Sequence, residues 1–327
     1  MNSVQSLRSF KHLSLAATIF VFLALYGFAA AKYEGFFTLR VFVNLLGDNS
    51  FLGIAAVGMT FVILSGGIDL SVGSVLAFTT ILIATLVGKG VHPAAAIVIA
   101  LALGASLGTG MGWLIHRYEL PAFLVTLGGM FLARGMAFVV SQESVEIAHP
   151  FYGALQEFGI PLSDRLSVPT TALVFLLVFT IGAFLAHYTR FGMNVYALGG
   201  SEGSSRLMGL PVGATKVTVY ALSGFCAALA GVVASFYMGS GNPAIGIGFE
   251  LDAIASVVIG GTLLSGGVGT LAGTLAGVLI FGTIQSALVF DGRLNSWWLR
   301  IVVGGLLLAF IVFQRFLSRT SPVLRST

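Results

Sequence analysis

Two stretches two hundred residues apart decide how this chain is read: Ala56-Val57-Gly58-Met59-Thr60-Phe61-Val62-Ile63-Leu64-Ser65-Gly66-Gly67-Ile68 and Ser256-Val257-Val258-Ile259-Gly260-Gly261-Thr262-Leu263-Leu264-Ser265-Gly266-Gly267-Val268. Both are apolar up to a Leu-Ser-Gly-Gly, and Gly73 is echoed by Gly273. Apolar residues without polar alternation read as segments buried on all sides, in a core or in a bilayer. The remainder of the chain selects the bilayer. Charged residues make up 9% of the 327 residues, against about 25% in a soluble domain. Mean hydropathy is +1.01. A water-soluble enzyme, a disordered chain and a nucleic-acid-binding domain are excluded by the same figures.

Working outward, about ten apolar runs are bounded by charge or by turn residues: 13–31, 49–68, 70–88, 93–115, 120–140, 166–186, 217–239, 253–264, 268–290 and 297–313. A spanning helix needs about 20 such residues, because only a helix or a closed barrel satisfies its own backbone in lipid. The expected fold is therefore all-α, one polytopic domain over residues 1–327 with about ten transmembrane helices. The expected internal repeat places related hairpins near 56–74 and 256–274, in the manner of duplicated transporters. The first run resembles a secretory signal, with Arg8 and Lys11 before it and Ala29-Ala30-Ala31 at its end. Its nineteen apolar residues exceed a signal core of about 7–15, so it reads as a retained helix.

Lys and Arg favour cytoplasmic loops. Arg8 and Lys11 at one end, and Arg315, Arg319 and Arg325 at the other, put both termini inside. The 116–119 turn and the 187–216 loop fall inside with them. The acidic connections with Glu143 and Glu146, and with Glu250 and Asp252, fall outside.

Paired glycines let a helix unwind at membrane depth, so Gly66, Gly67, Gly266 and Gly267 are candidate helix breaks that expose carbonyls and hydroxyls along a polar path. The plainer reading makes them tight turns at the surface. Asp69 reads either as a polar group on that path or as a cap on the helix beginning near Leu70. Gly104, Gly108 and Gly112, and likewise Gly269, Gly273 and Gly277, recur every fourth residue, as helix-packing faces do. Arg134 and Arg300 sit inside apolar runs and need a partner or a route to the surface. In the 187–216 loop, Ser201 can cap a short helix with Glu202 in its first turn and Gly209 at its end. That helix can meet a partner, or the loop can be a solvated connector.

There is no G-x-x-x-x-G-K-[ST], no H-E-x-x-H and no Cys/His cluster, so neither nucleotide nor metal is expected on this chain. The five histidines are scattered around helix ends, and Cys226 has no second cysteine to pair with.

With these motifs in order, the chain resembles the permease subunits of bacterial ATP-driven monosaccharide importers, the ribose, arabinose, xylose and galactofuranose group. The resemblance rests on residues 56–60 leading to Ser65-Gly66-Gly67-Ile68-Asp69-Leu70-Ser71-Val72-Gly73, on Thr189-Arg190-Phe191-Gly192 with Tyr196-Ala197-Leu198-Gly199-Gly200, and on Ile259-Gly260-Gly261 with Ser265-Gly266-Gly267-Val268-Gly269. It covers nearly the whole chain. Residues 249–258 and the pair Trp297-Trp298 are most similar to the galactofuranose-type permease.

The resemblance implies an inner-membrane transport subunit that binds no cofactor of its own. It also implies a second permease subunit, ABC ATPase subunits carrying ATP and Mg, and a periplasmic sugar-binding protein. The ATPase docks on the 187–216 loop, with Glu202, Arg206 and Gly209 as the expected coupling residues. Relatives often carry Glu-Ala-Ala there, whereas this chain has Gly203-Ser204-Ser205 with the acid at Glu202. Ser65, Asp69 and Ser265 are the expected path residues. The alternative is a self-sufficient secondary sugar carrier, which needs ion-coupling acids at mid-membrane, and only Asp69 comes close.

Overall fold

The computed structural model describes the backbone of residues 2–163, 166–293 and 297–320, and side chains between residues 14 and 313. The side chains of Arg8, Lys11, Arg315 and Arg319, and all of Arg325, lie outside the described residues.

The chain opens with α1 (Asn2–Lys32), α2 (Leu39–Asp48), α3 (Ser50–Leu64), α4 (Val72–Gly88), α5 (Pro93–Arg117) and α6 (Ala122–Val140). A connection follows, made of β1 (Val145–Glu146), α7 (Pro150–Glu157) and the hairpin of β2 (Gly159–Ser163) with β3 (Leu166–Pro169). Then come α8 (Thr170–Tyr188), α9 (Arg190–Gly200), α10 (Glu202–Leu207), α11 (Val212–Met238) and β4 (Ser240–Gly241). The last helices are α12 (Phe249–Ile259), α13 (Leu271–Asp291) and α14 (Trp297–Thr320). Apart from two short two-stranded pairings, the described fold is helical, as expected.

Each of the ten apolar runs overlaps a helix, although 166–169 form β3 and 253–264 outruns α12, and ten full crossings are not reached. Among the described residues six helices are long and apolar enough to span, or seven if the bent pair α2–α3 counts as one. The reason is length. At 1.5 Å per residue, α4 with its 17 residues and α12 with its 11 fall short of a hydrocarbon core about 30 Å thick. The 49–68 run holds only the 15 residues of α3, which meets the preceding α2 at a 57° bend.

The two matching stretches also fold differently from one another. Residues 56–64 are helical throughout, whereas the second helix stops at Ile259. Where the first copy has Thr60-Phe61, the second has Gly260-Gly261, and Gly261 takes a left-handed φ of 91° that a side chain disfavours. The shared feature is thus helix, break, helix, with breaks of unequal length.

Helix α3 is the core: apolar on every side, it is buried at every position except Phe51. Around it pack α8, α11, α12 and α13. Helix α5 lies against α11 through the predicted glycine face. A methyl group at Gly104 would strike Ala228, at Gly108 the Tyr220 backbone and at Gly112 the Val217 backbone. The second triplet is only partly such a face, since Gly269 precedes α13. The outer faces of α6 and α8 expose Phe131, Leu132, Leu177 and Phe184, as lipid-facing helices do.

The ends of the bundle are distinct. Strand β1 pairs with β4, bringing the acidic 143–146 and 240–252 connections to one end. Arg206 of α10 bonds Glu119, bringing the 116–119 turn and the 187–216 loop together at the other. The predicted grouping of loops into two sides is therefore seen.

Candidate functional site

Three backbone segments converge where the helices break. The Gly267 N–H donates to the Leu64 carbonyl at 2.9 Å, joining the two Leu-Ser-Gly-Gly loops directly. The third segment is the end of α9: a Cβ on Gly199 would run into the Leu64 carbonyl and the Gly267 nitrogen. Only glycine permits three main chains to approach this closely. Gly66, Gly266 and Gly267 have φ of 82°, 86° and 74°, so these are true left-handed turns, while Gly67 is not. A Cβ on Gly67 would instead meet the Tyr220 hydroxyl. Ser65 and Ser265 belong to the two joined loops, and the Ser265 carbonyl lies 3.7 Å from where a Cβ on Gly66 would sit. Ser65 donates to the Val62 carbonyl at 2.7 Å and is half-buried; Ser265 is exposed.

Asp69 has a different setting. It is fully buried, and its carboxylate accepts from Ser71 N (2.9 Å), Ser71 Oγ (2.6 Å) and Ser223 Oγ (2.7 Å). It does not cap α4, whose N-cap is Ser71. The carboxylate fastens the first break to α11, and Thr126 of α6 adds a hydroxyl bond to the Ile68 carbonyl at 3.3 Å. The Asp69-x-Ser71 spacing was a legible turn signal. Ser223, Tyr220 and Thr126, far away in sequence, were not.

Helix α9 is built as a strut between these breaks and the loop. Thr189 caps its start, accepting from Gly192 N at 3.2 Å. Phe191 packs on Phe61 with ring centroids 5.6 Å apart, and the Tyr196 hydroxyl donates to the Gly269 carbonyl at 2.9 Å. Ser201 ends α9 and also caps α10, accepting from Ser204 N at 3.2 Å, so a single residue joins the two helices. Gly209 has a φ of 75°, and Leu210 N donates back to the Ser205 carbonyl at 3.0 Å, which completes the expected glycine stop.

Within the loop, Glu202 receives Arg206 at 2.7 Å and Lys216 at 2.7 Å, and Arg206 reaches Glu119 at 3.2 Å. Burial pushes the Glu202 carboxyl up, but the hydrogen bonds and charge of Lys216 and then Arg206 outweigh it, leaving it below its ordinary value. These groups line a cavity of about 420 Å³. Beside them Leu207 is 93% exposed and Met208 is also exposed. Two bare apolar side chains, at the last residue and the C-cap of a six-residue helix anchored by ion pairs, leave an exposed apolar patch beside the charges.

Arg134 finds the partners its position demanded, donating at 2.7 Å to both the Pro243 and Ile245 carbonyls. Arg300 lies over the Trp297 ring, 5.5 Å from its centroid. The structure therefore brings Ser65, Ser265 and the four glycines together, sets Asp69 behind them, and holds Glu202, Arg206 and Gly209 at the far end of α9.

The chain is 51% identical to the inner membrane ABC transporter permease protein YjfF of Escherichia coli K12, over 96% of this chain and 97% of that protein. It is 39% identical to the ribose import permease RbsC of the same strain, over 90% and 92% of the two chains. The fructose import permease FruG of Bifidobacterium longum is 37% identical over 92% of this chain and 89% of its own. No solved structure matches it. Residues 41–311 match the family described as "Branched-chain amino acid transport system / permease component". The chain thus belongs to this family of permease components, and the relatives compared are ABC sugar permeases.

Proposed function

We propose that this chain is the membrane subunit of an ABC importer carrying a neutral monosaccharide, galactofuranose in our reading, from periplasm to cytoplasm by alternating access. The observation that carries the reading is the direct joint from α10 through α9 to both Leu-Ser-Gly-Gly breaks. Force applied at Leu207 and Met208 has a short, rigid route to the place where two spanning elements are interrupted. Partner ATPases, with their ATP and Mg, dock on α10 through Glu202, Arg206 and Gly209. A second permease subunit completes the path, and a periplasmic binding protein delivers the cargo. Both termini face the cytoplasm in this scheme. Ser65 and Ser265 border the inner end of the path, and Asp69 acts on it by holding the first break in place. Nucleotide binding shifts the population of permease states only if α10 contacts the ATPase differently in each.

The ribose and fructose relatives support a sugar cargo, and residues 249–258 with Trp297-Trp298 support the galactofuranose type. The test is uptake into proteoliposomes holding the permease, its ATPase and a loaded binding protein, against a panel of galactofuranose, ribose, fructose and leucine. ATP-dependent uptake of a sugar is expected; uptake of leucine alone would overturn the cargo class.

A further inference from the structure

At the end of the bundle away from α10, two cavities of about 200 and 230 Å³ share Asn44 and Asp48 as lining residues. Their other polar walls are Asn49, Gln285 and Ser286 in the first, and Gln156, Thr171 and Tyr237 in the second. Tyr237 donates to Asp48 Oδ1 at 3.2 Å. The side chains of Asn44 and Gln285 make no hydrogen bond among the described residues, and both are exposed.

Exposed amides on membrane-spanning elements are costly against lipid, where no water replaces the missing bonds. The outer faces of α6 and α8 carry Phe and Leu instead. The polar face is therefore turned to water or to a hydroxyl-rich solute. Gln285 lies six residues before Asp291, about 9 Å along the helix, and Asp291 meets Lys32 and Tyr33 at the end of α1. The cavities thus sit just inside the surface opposite α10.

The elements that carry them are also the elements that break. The bent pair α2–α3 runs from Asn44 and Asp48 down to Ser65, and α13 runs from Gln285 and Ser286 back to the second break. Each cavity is smaller than the roughly 300–1,000 Å³ that holds a drug-sized ligand, a scale suited to one small solute. The uncommitted Asn44 and Gln285 amides, the Asp48 carboxylate and nearby hydroxyls offer donors and acceptors to a polyol, with the Tyr237 ring beside them, while the Asn49 and Gln156 amides already donate to backbone carbonyls. Among the described residues no Lys, Arg or His lines either cavity. A phosphorylated sugar or the carboxylate of an amino acid would find no cation among these lining residues.

We propose that Asn44, Asp48 and Gln285 form an entry site for a neutral monosaccharide at the outer mouth of the path. The inference rests on the importer reading above and deepens it.

Cys226 is buried, so single introduced cysteines can be followed in an otherwise silent chain. Asn44→Cys and Gln285→Cys are placed in the complete importer in right-side-out vesicles and treated with a membrane-impermeant sulfonate thiol reagent. Both are expected to react at least tenfold faster than Leu177→Cys on the lipid-facing side of α8. A saturating transported sugar with its binding protein slows that reaction at least fivefold, and leucine does not. Reaction no faster than Leu177→Cys, as a face buried against a second subunit would give, overturns the site; so does reaction that sugar fails to slow. As a second readout, Asp48→Asn lowers uptake kcat/KM at least tenfold, and normal uptake would overturn the proposal. If the unsubstituted importer takes up no monosaccharide, the importer reading itself fails; if it does and the variants behave normally, only the entry site fails.

Discussion

Gly199 and Gly200 are neighbours at the end of α9, yet they predict opposite results when each is changed to Ala. A Cβ at Gly199 would overlap the Leu64 carbonyl and the Gly267 nitrogen, while a Cβ at Gly200 has nothing within 4 Å. The clash at Gly199 is with backbone, so no side chain can rotate away. Either α9 withdraws from the junction or the two loops part, breaking the Gly267 to Leu64 hydrogen bond of 2.9 Å. Overpacking costs about 1–3 kcal/mol and the lost bond about 1 kcal/mol, against a helix-propensity gain of up to about 1 kcal/mol for Ala. Gly199→Ala should therefore lose about 1–3 kcal/mol of stability, and Gly200→Ala should be neutral or slightly stabilised. Denaturant unfolding of the two purified variants in detergent measures the difference. Sugar-stimulated ATP hydrolysis in the assembled importer then reports whether the junction is in the coupling route: it should fall in Gly199→Ala and persist in Gly200→Ala. Equal stability and equal stimulation in the two variants would refute the convergence of three main chains at this point.

Gly209→Val forces a β-branched side chain into a φ of 75°, so α10 loses its stop. Stimulated ATP hydrolysis should disappear while membrane insertion, followed by immunoblot of washed membranes, is unchanged. Glu202, held below its ordinary value of 4.5, contributes stability above that pH and loses it as pH falls through its lower folded value. The destabilisation caused by Glu202→Gln at neutral pH, read from paired melting curves, should therefore shrink below about pH 4.5. Arg134→Met removes two 2.7 Å bonds to the Pro243 and Ile245 carbonyls. It should cost about 1.5–3 kcal/mol in denaturant unfolding, since a charged donor is lost from half-buried acceptors.

The helices were legible because apolar runs bounded by charge leave few other solutions in a bilayer. The α10 motif was legible for a local reason: cap, first-turn acid and glycine stop lie within nine residues, Ser201 to Gly209. What sequence could not show is long-range. The Asp69 carboxylate is claimed by Ser223, 154 positions away, and the Thr60 hydroxyl meets Thr274 at 2.8 Å from another helix. Arg134 showed that it needed a partner but not that backbone carbonyls would supply it. The likeness of the 56–68 and 256–268 stretches overstated their structural match, because the substitution of Gly260-Gly261 for Thr60-Phe61 ends one helix early. Asn44, Asp48 and Gln285 escaped notice since Gln285 lies more than 230 residues from the other two, all in short polar interruptions of apolar sequence, and only folding gathers them.

The account stands on the chain being a gate worked from outside. Sealed vesicles containing this polypeptide by itself, supplied with labelled sugar and an imposed ion gradient, should show no accumulation, and accumulation should begin only when the ATPase, ATP and loaded binding protein are added. Uphill uptake by the chain alone would contradict the account.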